Sequence, residues 1–102
     1  MTRGDIIDVL RTLGGDLRRR HMVHAGVFGS QARGDASPGS DIDVVVRFDP
    51  ASPVTIFDLV AVTRFVRIVL KRRFRRSIDV VDLDGLKSRM RERVDRDALY
   101  AF

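Results

Sequence analysis

Apolar residues recur at helical spacing in three segments of the chain. The first segment predicts an amphipathic helix that begins near residue 4, and Gly14 and Gly15 should weaken and break its second half. Its apolar positions are Ile6, Leu10, Leu13 and Leu17. A second helix is predicted over residues 54 to 71, with Ser52 as its N-cap and Pro53 at its first helical position. A last helix is indicated by the spacing of Leu86, Met90, Val94 and Ala98.

Three strands are predicted, over residues 22 to 28, 41 to 48 and 77 to 82, and in the second of them apolar and polar residues alternate with a period of two. In the second strand, this period of two gives one wholly apolar face. The apolar face comprises Ile42, Val44, Val46 and Phe48. The opposite face comprises Asp41, Asp43, Val45 and Arg47. The predicted order is helix, strand, strand, helix, strand, helix, which makes the chain one α/β unit.

Size and composition exclude several classes of protein. The 102 residues are expected to form a single domain over residues 1 to 102, because two folded domains do not fit in this length. No apolar run of about 18 residues is present to cross a bilayer, so no membrane partner is expected. The chain has no Cys, which excludes a disulfide scaffold, a thiolate zinc site and a Cys nucleophile. Since no secretory apolar segment follows Met1, we expect a cytoplasmic location.

The charge of the chain is basic and unevenly distributed. Nineteen Lys and Arg against fourteen Asp and Glu give a net charge of +5, which is compatible with an anionic partner. Residues 64 to 76 contain seven bases and no acid. These bases are Arg64, Arg67, Lys71, Arg72, Arg73, Arg75 and Arg76. Because such runs are more often solvated faces, nucleic acid is not expected as the main partner, and phosphate steering or docking of a partner protein is the alternative role.

Several Asp residues fall on predicted strands, where a charged carboxylate is unusual and its presence requires an explanation. The strand period places Asp41 and Asp43 on one face with Cα atoms about 6.6 Å apart, near enough to contact one or two cations. Gly29 and Ser30 end the preceding strand, where backbone N–H groups and the Ser hydroxyl could hold phosphate oxygens. Asp79 is a third acid between apolar neighbours, where an unpaired charge is unfavourable to bury. Together these residues predict a metal and nucleotide site.

The same residues also have purely structural interpretations. The pair Asp41 and Asp43 taken alone is typical of a solvated sheet face. Asp79 could cap a strand end, in which case Asp82 would take its place in the site. Ser30 could cap a helical turn, with a geometry that would still bind anions.

The spacing of these residues resembles that of a known superfamily. Gly29-Ser30, then ten residues, then Asp41-Ile42-Asp43 and a later strand residue, Asp79, resemble the nucleotidyltransferases typified by DNA polymerase β. More narrowly, Gly-Ser-Gln-Ala-Arg-Gly-Asp at 29 to 35 and Ser-Asp-Ile-Asp-Val-Val-Val at 40 to 46 resemble the minimal nucleotidyltransferase (MNT) family. The resemblance implies the polymerase β-like nucleotidyltransferase fold, an α+β fold in which helices flank a small mixed β-sheet of three to four strands.

The resemblance also implies a role for each residue. Gly29 and Ser30 match the loop that holds the triphosphate, and Arg33 matches a loop Arg that lies near phosphate or holds the loop. Three carboxylates match the catalytic magnesium ligands of the family. They are Asp41, Asp43 and Asp79. In active families the third of these also helps to activate the attacking hydroxyl.

The activity implied by the resemblance is transfer of AMP from ATP, with two Mg²⁺ ions, to a tyrosine hydroxyl of a HEPN-domain toxin. Many MNT proteins are the antitoxins of such toxins. A chain of this size leaves little material for an acceptor pocket, so we expect the acceptor on another macromolecule. The alternatives are an antitoxin that neutralises by binding through residues 56 to 76, a transferase for a small hydroxylated molecule, and a nucleic-acid-binding module.

Overall fold

A computed structural model describes residues 2–102 as four helices and a 3-10 turn around one sheet. The elements are α1 (Arg3–Arg19), β1 (Met22–Phe28), α2 (Gly29–Arg33), β2 (Ile42–Phe48), α3 (Ile56–Phe74), β3 (Ile78–Asp82), the 3-10 turn (Leu83–Gly85), α4 (Ser88–Asp97) and β4 (Leu99–Tyr100). The strand order is β3-β2-β1-β4. Strand β1 pairs antiparallel with β2 and β4, whereas β2 and β3 are parallel. The predicted α+β class with a small mixed sheet is confirmed.

The sheet is covered on both faces. On one face, α1 and α3 pack against Val44 and Val46 of β2. On the other face, Val45 is fully buried in a smaller cluster with Phe28, Leu83 and Val94. Helix α3 makes the crossover that parallel strands require, and α4 covers the smaller cluster. Across residues 2–102, no helix has the length and apolar character needed to cross a bilayer.

Helix α1 runs without a break, so the predicted interruption at Gly14 and Gly15 is wrong. Gly14 is buried, and a Cβ placed there would lie 3.6 Å from the Phe102 ring. That is an ordinary contact distance, so the ring does not require glycine here; burial of the apolar side of α1, including Leu10 and Leu17, outweighs the weak helix propensity of the two glycines. The helix also begins in a capping box, in which the side chains of Thr2 and Asp5 each accept a hydrogen bond from the other residue's backbone N–H.

The start of α3 also differs from the prediction, because neither Ser52 nor Pro53 caps it. The helix begins at Ile56 with Thr55 as N-cap, and Thr55 and Asp58 form a capping box. The Ser52 hydroxyl instead donates to Asp49 Oδ2 at 3.2 Å in the preceding turn. The sequence contains two plausible caps three residues apart, and the Asp at the third helical position decides between them because it satisfies a second backbone donor.

Candidate functional site

The pairing of β2 with β3 brings two of the predicted carboxylates side by side. Asp43 and Asp79 are register partners on these parallel strands, and Asp41 immediately precedes β2. Asp43 is partly buried, whereas Asp41 and Asp79 are exposed. No salt bridge within residues 2–102 involves any of the three. Asp82, the alternative to Asp79, accepts a hydrogen bond from the Asp84 backbone N–H and caps the 3-10 turn.

The environment of Asp43 disfavours its ionised form. Burial raises the pKa of Asp43 above its ordinary value, and the negative charges of Asp79 and Asp41 raise it further. The positive charges of Arg93 and Arg33 oppose this shift without cancelling it. Asp43 is thus the centre of a cluster of like charges that a bound cation would relieve.

The turn after β1 lies directly against Asp43. Gly29 follows the last residue of β1 and has a backbone φ of +69°, a left-handed conformation that glycine adopts without strain. A Cβ at this position would lie 2.6 Å from Asp43 Oδ2. In the antiparallel pairing, Phe28 is the register partner of Asp43. Gly29 and Ser30 therefore lie at the same end of the sheet as the carboxylates, as the motif spacing predicts.

Arg33 is engaged by carboxylates of the protein. Its Nε donates to Asp35 Oδ2 and its Nη1 donates to Asp97 Oδ2, both at 3.1 Å. These hydrogen bonds, the one to Asp35 first, hold the pKa of Arg33 above its ordinary value. Asp97 lies at the end of α4, and its side chain is only 8% exposed. Of the two expectations for Arg33, the geometry favours holding the loop over contacting phosphate.

Sequence reasoning missed three residues around this site. Asp97 ties α2 to α4 through Arg33, and Arg3 of α1 donates from Nη1 to the Ala32 carbonyl at 2.6 Å. Arg93 lies on the exposed side of α4, and its charge favours the ionised form of Asp43. These contacts join residues distant in the sequence, so no local pattern could have identified them.

The donor set has the chemistry that Mg²⁺ prefers, although it does not form a closed metal cage. Carboxylate oxygens are its usual protein ligands, and in phosphoryl transfer substrate phosphates complete the coordination. Within residues 2–102, no group of three or more His, Cys, Asp or Glu residues is arranged as a ready-made metal site. An open arrangement of Asp41, Asp43 and Asp79 fits a metal that binds together with a nucleotide.

The sheet order and the Gly-Ser turn beside paired strand carboxylates define the class of the protein as a nucleotidyltransferase. A family model described as "Nucleotidyltransferase domain" matches residues 10–96. The chain is also 31% identical over 101 residues to protein adenylyltransferase MntA of Thermococcus cleftensis, covering 98% of this chain and 96% of that protein. The chain therefore belongs to the nucleotidyltransferase domain family, within its MNT branch, and is a nucleotidyltransferase.

Solved structures share the fold. A minimal nucleotidyltransferase structure is 29% identical, with a TM-score of 0.70, and the match covers 97% of this chain and 95% of that one. A toxin–antitoxin structure with AMP-PNP matches with a TM-score of 0.67 at 19% identity, covering 100% of this chain and 73% of that one. A structure of the tri-AMPylated Shewanella oneidensis HEPN toxin in complex with MNT antitoxin also contains a match. The TM-score is 0.59 at 16% identity, and the match covers 94% of this chain and 71% of that one. At these last two identities the likeness supports the fold alone.

Proposed function

We propose that this protein is a magnesium-dependent antitoxin that transfers AMP from ATP to a hydroxyl, that of a tyrosine, on a HEPN-domain toxin. The observation that carries the proposal is the grouping of Asp41, Asp43 and Asp79 beside the Gly29 turn. The MntA relative supports the same activity, because it is a protein adenylyltransferase of nearly the same length. The partner is proposed from the toxin–antitoxin complexes that share the fold.

We assign the three carboxylates to the binding of two Mg²⁺ ions beside the reacting groups. Asp41, Asp43 and Asp79 would hold the ions, which when bound neutralise charge on the phosphates. The glycine at position 29 brings the turn against Asp43, so the triphosphate would lie beside that carboxylate, and Ser30 would add its hydroxyl. Arg33 fixes the position of this turn through Asp97 rather than by touching phosphate.

The chemical step is an in-line substitution at the α-phosphorus of ATP. The acceptor oxygen forms a bond to phosphorus while the bond from the α-phosphorus to its bridging oxygen breaks, so pyrophosphate leaves. We assign acceptance of the hydroxyl proton to Asp79, which is exposed and is the register partner of Asp43 on the neighbouring strand. Positioning and charge neutralisation supply most of the acceleration in such transfers, which explains why no His or Cys is required.

Isotopic labelling of ATP tests this proposal. The purified protein is incubated with Mg²⁺ and the proposed HEPN-domain partner, using ATP labelled at either the α- or the γ-phosphate. The expected result is label on the partner from α-labelled ATP only, with release of labelled pyrophosphate from γ-labelled ATP. Transfer of the γ-label would indicate phosphorylation instead, and an unlabelled partner in both reactions would contradict the proposed activity.

A second candidate function is neutralisation by binding alone. The exposed apolar surface of α3, where Phe57 is 83% exposed, favours it. A protein carrying Asp41→Asn and Asp43→Asn that still protects cells fully against the toxin would support this candidate. Loss of protection by that variant, at equal protein levels and equal affinity for the toxin, would support the enzyme.

A further inference from the structure

Helix α3 presents two chemically different sides. The inner side packs into the core through Val62, Val66 and Leu70. The outer side exposes large apolar residues, of which Ile56 is 69% exposed and Phe57 is 83% exposed. We call this outer side the α3 groove; it has a volume of about 650 Å³ and also includes Val60, Arg64, Phe65 and Ile68. Contiguous apolar surface of this kind on a small protein marks an interaction site.

The charge around the α3 groove is strongly positive and uncompensated. The only acid of α3 is Asp58, which is used in the capping box at the start of the helix. The helix carries five exposed bases, and no salt bridge within residues 2–102 involves any of them. They are Arg64, Arg67, Lys71, Arg72 and Arg73. A partner with carboxylates would complement them, whereas a second copy would bring like charges together.

The order of residues along α3 defines a continuous stripe. Ile56, Val60, Arg64 and Ile68 follow one another at intervals of four, which places them along one side of the helix. Arg72 continues the interval by one more turn. The stripe is apolar at Ile56 and Val60, and bases then flank Ile68 on both sides, which fits a partner helix that carries apolar residues together with carboxylates.

The α3 groove and the carboxylates lie on opposite faces of the sheet. Val44 and Val46 contact the cluster that includes the inner side of α3, whereas Val45 contacts the cluster on the α4 side. Because side chains alternate along a strand, Asp43 projects to the same face as Val45. A protein seated on the α3 groove would leave the carboxylates uncovered.

We propose that the α3 groove is the docking surface for the HEPN-domain partner, through an apolar helix of that partner flanked by Asp or Glu. This inference rests on the proposed function for the identity of the partner. It adds that docking and AMP transfer use separate surfaces, so the acceptor hydroxyl must reach the carboxylates around the edge of the sheet, from another part of the docked partner, and each event is lost by different substitutions.

Binding measurements with the 102-residue chain test the proposal without ATP. The Kd for the proposed HEPN-domain partner is measured for the wild type, Phe57→Ser, Arg64→Glu and the control Met90→Ser. Met90 is also exposed, at 36%, but lies on α4. Phe57→Ser and Arg64→Glu should each weaken binding about tenfold or more, whereas Met90→Ser should change it little. Because these side chains are exposed, the variants should fold as the wild type does.

Further outcomes separate the inference from the proposed function. Asp41→Asn with Asp43→Asn should leave the Kd unchanged, so docking is measurable even if AMP transfer fails. Unchanged binding by Phe57→Ser and Arg64→Glu would overturn the docking surface while leaving the enzyme intact. Concentration-dependent dimers that Phe57→Ser abolishes would assign the groove to a second copy instead. Binding to phosphatidylserine vesicles but not to the HEPN protein, again lost in Phe57→Ser, would assign it to a membrane surface and overturn the inference.

Discussion

A Cβ on Gly29 would lie 2.6 Å from Oδ2 of Asp43, so the turn after β1 and the carboxylate on β2 fit together only when residue 29 is glycine. The two residues come from strands that pair antiparallel, and Gly29 also has a left-handed backbone. The close approach leaves the Asp43 carboxylate beside the turn proposed to hold the phosphates.

Replacing Gly29 should therefore cost both stability and activity. Gly29→Ala is expected to lower the free energy of unfolding by at least about 1–2 kcal/mol from backbone strain, and to abolish AMP transfer because Asp43 is displaced. Gly39→Ala is the matched control, since Gly39 has a φ of +94° but nothing within 4 Å of its Cβ position. Gly39→Ala should lose the stability due to backbone strain alone and keep its activity. Activity in Gly29→Ala equal to that in Gly39→Ala would contradict this role of the turn.

The raised pKa of Asp43 predicts a pH-dependent gain in stability for Asp43→Asn. Burial and the charges of Asp79 and Asp41 raise the pKa above 3.8, so the native state holds the proton more tightly than the unfolded chain does. The contribution of Asp43 to the free energy of unfolding then falls as the pH rises from the ordinary carboxyl pKa through the raised pKa of Asp43. In magnesium-free buffer, Asp43→Asn should be more stable than the wild type near neutral pH, although inactive.

Urea unfolding at several pH values measures this difference. The advantage of Asp43→Asn should shrink as the pH is lowered toward the ordinary carboxyl pKa, because the wild-type side chain is then also neutral. Asp8→Asn serves as the control, since Asp8 is exposed on α1 and away from the cluster. A variant less stable than the wild type at neutral pH would contradict the crowding of charge at Asp43.

The ion pair between Arg33 and Asp97 predicts a positioning effect on catalysis. Burial raises the pKa of Asp97, but the hydrogen bonds from Arg33 and Arg96 outweigh it and leave the pKa lowered. The stabilisation from Asp97 is therefore present above its unfolded pKa and is lost as the pH falls through its folded pKa. Asp97→Asn should lower the midpoint of thermal unfolding at neutral pH and increase amide hydrogen exchange in α2.

Kinetics distinguish positioning from a purely structural role. In Asp97→Asn, the KM for ATP should rise more than kcat falls, because the turn that holds the phosphates is less well fixed. Arg96→Ala is the control, since the Arg96 side chain is 71% exposed and its loss leaves the bond from Arg33 in place. Equal kinetic effects of both substitutions would rule out a specific role for the Arg33 pair.

The uninterrupted helix α1 predicts that its glycines can be replaced. A Cβ on Gly15 would meet only Arg19 Nη2, at 3.6 Å, and the nearest atoms to one on Gly14 are also at ordinary contact distance. Gly15→Ala should therefore raise the free energy of unfolding by about 0.5–1 kcal/mol, through the better helix propensity of alanine. Gly14→Ala should also raise it, because the new Cβ would contact the Phe102 ring at 3.6 Å without displacing it. Urea denaturation measures both, and a loss of stability in Gly15→Ala would contradict a regular helix at this position.

The fold was predictable wherever short-range patterning agrees with the final environment. Strand β2 is the clearest case, because alternate residues do face the larger cluster. The burial of Val45 was not predictable, because it depends on α4 returning to the second face of the sheet. Strand β4 also escaped prediction, since it has only two residues and forms by pairing with Gly26 and Val27.

The placement of the candidate site residues was also predictable where it depends on short-range sequence patterns. The motif spacing indicated which residues lie at one end of the sheet, and the register of Asp43 with Asp79 agrees with it. The hydrogen bond from Arg33 to Asp97 could not be predicted from the sequence, because 64 positions separate the two residues. Tertiary contacts of this kind leave no local pattern.

Intact-mass spectrometry of the HEPN-domain partner tests the central proposal most directly. The partner is incubated with ATP and Mg²⁺ together with either the wild type or the variant carrying Asp41→Asn and Asp43→Asn. We predict that the wild type increases the partner's mass by one or more AMP units and that the variant, which still folds and binds, leaves it unchanged. An unmodified partner in both reactions, or equal modification in both, would contradict the assignment of this carboxylate cluster as the catalytic site.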